Sequence, residues 1–159
     1  MSQETPVRES GEQAVAVDDV DLEEGAVGYD EERLADMRTV LEPRTLRILQ
    51  QLLASDTGAL SPKEVAFRNP DVTESTIRDH LRTLTEEGLA EKLEPDVESI
   101  PNAIPRTYYA VSEYGIELLK QVGIYDGVAI LYQVYQQMDR PEKIRAIEGW
   151  EHRPVPDWV

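Results

Sequence analysis

Between Thr73 and Gly88 the chain carries Ser75, Thr76, Arg78, Asp79 and Arg82, while the apolar residues Ile77, Leu81 and Leu84 fall together on one helical face. Hydroxyls beside a helix N-terminus suit anionic oxygens, because unpaired backbone N–H groups and the positive end of the helix dipole meet there. Arginines four residues apart suit phosphates and the acceptor edge of guanine. The chemistry on offer is therefore recognition of a nucleic-acid duplex, with Thr73, Ser75, Thr76, Arg78, Asp79 and Arg82 as candidate contacts. Lys63, Arg68 and Arg106 are the candidate positioning groups around them. Asp79 also has the spacing for an i,i+3 pair with Arg82, a solvated arrangement that by itself is worth little.

Other chemistry finds no support. The chain has no cysteine, which removes disulfides, thiolate metal sites and thiol switches. His80 and His152 are the two histidines, far apart in sequence, and His80 lies among core positions as a packed structural residue would. No nucleophile, base and orienter grouping occurs, and no glycine-rich phosphate loop. We therefore expect neither enzymatic activity, nor a cofactor, nor a metal site.

Local signals define the elements that hold the candidate contacts. Leu34, Met37 and Leu41 give a short leading helix from Asp30, stopped before Pro43. Pro43 opens a second helix with an apolar stripe of Leu46, Ile48, Leu49, Leu52 and Leu53, and Asp56-Thr57-Gly58 turns the chain. Ser61-Pro62-Lys63-Glu64 is a capping box for a short helix to about Arg68. Asn69-Pro70-Asp71 makes a turn, Thr73 caps the next helix, and Gly88 ends it in the left-handed conformation. Leu89 to Glu94 and Arg106 to Val111 read as two strands of a hairpin with a long proline-rich tip. Ser112 then caps a helix to Val122. Asp126 opens another, apolar on nearly every side, that runs to Arg140-Pro141. A short stretch with Ile144 and Ile147 leads to Trp150 and the segment Arg153 to Val159, which the two tryptophans pin to the body.

The formal charge of −16 sits awkwardly with a nucleic-acid partner. Its distribution relieves the difficulty, since the first 32 residues hold eleven acids and one base. Residues 1–29 also lack apolar periodicity and read as a disordered acidic tail. Arginine outnumbers lysine three to one, and with the acid excess this resembles the composition of proteins from salt-in halophiles such as haloarchaea. No signal-peptide pattern or membrane-spanning run is present, so a cytoplasmic location is expected.

Three helices followed by a hairpin is the order of a winged helix-turn-helix. The run Ser75 to Leu89, with its Ser-Thr-Ile start, His80-Leu81 pair and Glu-x-Gly-Leu exit at Glu86-Glu87-Gly88-Leu89, resembles the recognition helix and strand entry of ArsR-type and MarR-type regulators. Arg106 to Leu119 resembles the second wing strand and following helix of PadR-type regulators. The resemblance covers roughly Pro43 to Gln121, and it implies a mainly α fold with a small β-hairpin wing, dimerisation, and binding to a DNA operator. Arg78-Asp79 and the wing-tip acids Asp96 and Glu98 depart from the family pattern, in a way that disfavours close wing contact with phosphates.

The helix after Asp126 has more apolar surface than one small domain covers, which makes Val128, Leu131, Tyr132, Tyr135 and Met138 candidates for a homodimer interface. Tyr125, Tyr132 and Tyr135 would alternatively line an effector pocket, although such a stripe more often forms interface core. The expected organisation is a tail (1–29), a winged helix-turn-helix domain (30–122) and a dimerisation helix with its own tail (123–159). The expected function is transcription regulation by a homodimer on a palindromic double-stranded DNA site, with K+ ions between phosphates and Asp79, Asp96 and Glu98. The alternative is a winged-helix protein-interaction module without sequence-specific DNA binding.

Overall fold

Pro43 cannot continue a preceding helix, and the chain breaks there into two. The computed structural model describes residues 31–159, so the acidic segment 1–29 lies outside the described residues. Helix α1 (Glu31–Leu41) places acids in its first turn and Arg38 in its last, as the dipole favours. Helix α2 (Pro43–Leu53) begins with Glu42 as an extended cap, its carboxylate accepting from the Thr45 N–H at 3.0 Å. That break corrects the expected face of α1. Val40 is fully buried and Met37 packs on the core, while Leu41, pulled into the turn, is exposed.

Gly58 turns the chain after α2 with φ of 79°, a conformation that an L side chain rarely adopts. Strand β1 (Ala59–Leu60) follows, then α3 (Pro62–Arg68) and α4 (Glu74–Glu86). Both helices start as their sequences require. Ser61 and Glu64 form a reciprocal capping box, and the Thr73 hydroxyl accepts from the Thr76 N–H. Gly88, at φ 80°, releases the chain into β2 (Ala90–Leu93), which pairs with β3 (Tyr108–Val111). These strands are shorter than expected because Pro95, Pro101 and Pro105 lie between them. The hairpin is also joined by a third strand. β3 is central in the antiparallel order β1-β3-β2, with Leu60 opposite Tyr109 and Lys92 opposite Tyr109 on the other side.

Helix α5 (Glu113–Gln121) is capped by Ser112. Gly115 is required at its start, because a Cβ there would collide with the Leu89 carbonyl. A 3-10 turn (Tyr125–Gly127) leads to α6 (Val128–Gln136), which ends before the expected Arg140-Pro141 stop, and α7 (Glu142–Glu148) follows.

Both faces of the sheet are covered, and residues 36–159 form one compact body. Tyr109 and Val111 face a main core of Ile48, Leu49, Leu52, Val65, Ile77, Leu81, Leu84, Leu118 and Leu119. With the period of two, Tyr108 and Ala110 face the other way, into a second cluster with Ala59, Ile104 and Ile147. Trp150 and Trp158 pack on that cluster, so the C-terminal segment closes the outer side of the wing sheet. No helix among the described residues is long and apolar enough to cross a membrane.

Candidate nucleic-acid interface

Helix α4 buries Ile77, Leu81 and Leu84 and turns Ser75, Thr76, Arg78, Asp79 and Arg82 outward. The cap residue Thr73 is exposed, and its hydroxyl also donates to the Thr76 Oγ1 at 2.9 Å. Arg78 Nη2 donates to Glu74 Oε2 at 2.6 Å, and Arg82 Nη2 donates to Asp79 Oδ1 at 2.7 Å. The two arginines are thus held by acids one turn away, and the exposed face of α4 is a pair of short ion pairs rather than a basic patch. Glu74 was not among the sequence candidates. Its i,i+4 spacing to Arg78 was the signal that would have found it.

Lys63 sits half-buried in the first turn of α3, and Arg106 is exposed at the base of the wing before β3. Asp96 and Glu98 are exposed in the segment between β2 and β3, and among the described residues no ion pair joins them to a base.

Arg68 does not belong to this surface. It points inward, where Nη1 donates to the carbonyls of Gln51 and Ala54, and its guanidinium lies 3.5 Å from the ring centroid of Tyr135. The cation is consumed in joining α3 to α6, so its expected contact with a duplex is corrected. His80 is half-buried on the flank of α4, with Nε2 3.0 Å from the Thr45 hydroxyl. Burial pushes its pKa down, against the pull of the Glu42 carboxylate. The Thr45 N–H holds the Glu42 carboxyl below its ordinary value.

Tyr135 is likewise interior. Its hydroxyl donates to Glu148 Oε2 at 2.7 Å, its ring packs between Arg68 and Arg140, and burial raises its pKa. The expected interface set is therefore corrected at Tyr135, and Val128 and Leu131 are half-buried. The open side of α6 carries Ile130, 67% exposed, Val134, 55% exposed, and beyond them Met138, with Tyr132 at the edge. Ile130 and Val134 are i,i+4 neighbours on a face turned away from the buried Tyr135. Tyr125 and Tyr132 line an open groove with Leu53 and Val128, where the Tyr132 hydroxyl donates to Asp56 at 2.6 Å.

One cluster ties the C-terminal segment to the helix-turn-helix. Arg153 donates from Nη1 to Glu64 Oε2 at 3.0 Å and from Nη2 to Glu64 Oε1 at 3.1 Å. It also donates to the carbonyls of Ile147 and Ala59. Both side chains are buried, at 6% and 1% exposure. The same Glu64 carboxylate accepts from the Ser61 N–H and hydroxyl, so the cap of α3 and the C-terminal segment share one anion. Trp158 Nε1 donates to the Val111 carbonyl at 2.9 Å, fastening this segment to the end of β3.

A helix pair α3–α4 on a three-helix core, followed by a β2–β3 hairpin, defines a winged helix-turn-helix. Comparison with solved structures narrows this. A protein with a GntR superfamily winged-helix-turn-helix domain from Halomicrobium mukohataei is 39% identical, matching 87% of this chain and 96% of that chain with a TM-score of 0.76. The chain belongs to that winged-helix family. HlyU from Vibrio cholerae N16961 is more distant, at 20% identity over 67% of this chain and 94% of that chain, with a TM-score of 0.41. No family model and no curated protein matches the chain.

Proposed function

We propose that the protein is a sequence-specific DNA-binding transcription regulator that works as a homodimer. The observation that carries this reading is the outward face of α4, where Ser75, Thr76, Arg78, Asp79 and Arg82 stand opposite the buried Ile77, Leu81 and Leu84 in a winged helix-turn-helix. In this reading α4 enters the major groove, Lys63 and Arg106 steady the backbone, and the β2–β3 wing flanks the site. The open apolar side of α6 supports pairing of two copies through Ile130, Tyr132, Val134 and Met138. Two copies of α4 would then meet half-sites of a palindrome about 34 Å apart.

The composition supports work at high salt, as in haloarchaea, and the runs 75–89 and 106–119 support the ArsR-, MarR- and PadR-like resemblance as the finer placement. At molar salt the Debye length shrinks to about 3 Å, so the excess of acids repels DNA far less than in dilute buffer. K+ ions would bridge phosphates to Asp96 and Glu98. Asp79 is already neutralised by Arg82, which moves this role to the wing. The test is selection of duplexes from a random library by the full chain at low and molar KCl. An enriched palindrome is expected, with Arg78→Ala and Arg82→Ala each weakening its binding by about 1 to 3 kcal/mol. Failure to enrich any sequence would leave the winged helix as a protein-interaction module.

A further inference from the structure

Along α4 the residues most directly opposite the buried stripe are Ser75, Asp79, Arg82 and Glu86, successive steps of four, three and four. A carboxylate at Asp79 therefore stands in the middle of the ridge that a groove would receive. Facing a polyanion, it weakens binding unless it meets a donor. Its pair with Arg82 adds little to folding, since the two side chains are 65% and 60% exposed.

The pair is oriented in a way that gives the acid a use. The 2.7 Å bond engages Arg82 Nη2 and Asp79 Oδ1. Among the described residues no other group engages Asp79 Oδ2 or Arg82 Nη1. Taken as one surface, Arg82 Nη1, Arg82 Nη2 and Asp79 Oδ1, whose second lone pair is open, offer donor, donor, acceptor. In the major groove a G·C pair offers guanine N7 and O6, both acceptors, and then the cytosine N4 donor, in that order. Guanine O6 and cytosine N4 are themselves hydrogen-bonded, at the usual spacing of about 2.9 Å. The Nη2 to Oδ1 distance matches that spacing. An A·T pair alternates acceptor, donor, acceptor and cannot satisfy the same surface.

We propose that Arg82 and Asp79 read one G·C base pair as a unit, Arg82 donating to guanine N7 and O6 and Asp79 accepting from the outward cytosine N4–H. The inference rests on the DNA-binding reading above and adds the base pair that α4 specifies. Asp79 is then a specificity-determining residue, and its carboxylate trades overall affinity for discrimination.

The experiment uses the wild-type site from the selection and measures the full chain on duplexes substituted at each base pair. At one position per half-site the wild type should prefer G·C roughly tenfold to a hundredfold. In Asp79→Ala that preference should shrink to what Arg82 alone supplies at guanine N7 and O6, while affinity for random duplex rises because a negative charge has left the interface. Arg82→Ala should lose the preference at the same position, with no further loss there in the double variant. Replacing the paired cytosine by N4-methylcytosine, which occupies the outward N4–H but keeps Watson–Crick pairing, should weaken wild type and leave Asp79→Ala unchanged. If Asp79→Ala binds every duplex more tightly with its preferences intact, or if N4-methylation costs the wild type nothing, the inference is overturned while DNA binding stands. If the wild type selects no sequence at all, the function proposed above fails first.

Discussion

Replacing Arg153 by alanine tests the tie between the C-terminal segment and the helix-turn-helix. The substitution removes two bonds to Glu64 and one each to the carbonyls of Ile147 and Ala59. It leaves the Glu64 carboxylate almost wholly buried, with the Ser61 N–H and hydroxyl as its remaining hydrogen bonds and Arg68 as the cation left nearby. Breaking a buried pair from one side costs about 3 to 5 kcal/mol, most of it the penalty on the abandoned charge. At roughly 4 °C per kcal/mol for a body of this size, the melting temperature should fall by about 12 to 20 °C. Glu64→Gln in the same chain removes the abandoned charge while keeping an acceptor for Ser61, so the double variant should recover about 2 kcal/mol relative to additivity. Urea and thermal melts of the wild type, both single variants and the double variant close the cycle. A loss below about 1 kcal/mol in Arg153→Ala, or additivity within about 0.5 kcal/mol, would refute the claim that this cluster is a desolvated ion pair.

On the proposed pairing through α6, the wild type should size as a dimer and Ile130→Glu combined with Val134→Glu as a monomer with unchanged helical circular dichroism, since both positions are more than half exposed; a monomeric wild type, or a variant that still sizes as a dimer, would refute that pairing. Burial depresses the His80 pKa, so the unfolded chain takes up that proton first; stability is full above about pH 6.5 and falls as pH drops through the lower folded value. Glu42 and Glu87 oppose this shift and Arg44 reinforces it. The melting temperature of His80→Gln should accordingly vary less between pH 7 and pH 5 than that of the wild type, and parallel profiles would acquit His80. Affinity for the selected site should hold or rise as KCl approaches molar levels, and an Asp96→Ala, Glu98→Ala variant should show a more negative slope. A steep loss of wild-type binding between about 50 and 200 mM would reject ion uptake at the wing.

The features readable from sequence were those whose cause is local. Ser61, Thr73 and Ser112 cap helices through partners three residues away, and Gly88 takes a backbone conformation that its own lack of a side chain permits. β1 escaped because two residues carry no period, and it exists only through pairing with β3 about fifty residues later. The exposed face of α4 was legible because its buried stripe is clean. Arg68 was misplaced because an arginine after a capped helix reads as a surface cation until Tyr135 arrives from α6 to cover it. In α6 the apolar residues nearly encircle the helix, so no periodicity tells which side meets the body. Arg68 and Arg140 decide it by holding Tyr135 inward and leaving Ile130 and Val134 outside.

The closure of the outer sheet face by the C-terminal segment also bears on the order of folding events. Arg153 meets Glu64 across 89 positions and Trp158 meets Val111 across 47, whereas α3 and α4 pack through neighbours in sequence. Contacts that close long loops bear the entropy of closure and form after the local helical nucleus. The segment from Arg153 to Val159 should therefore act mainly on the rate of opening: weakening it steepens the loss of the native state by raising the unfolding rate, while refolding proceeds almost unchanged. In kinetic terms the C-terminal segment is a latch on a door that is already hung.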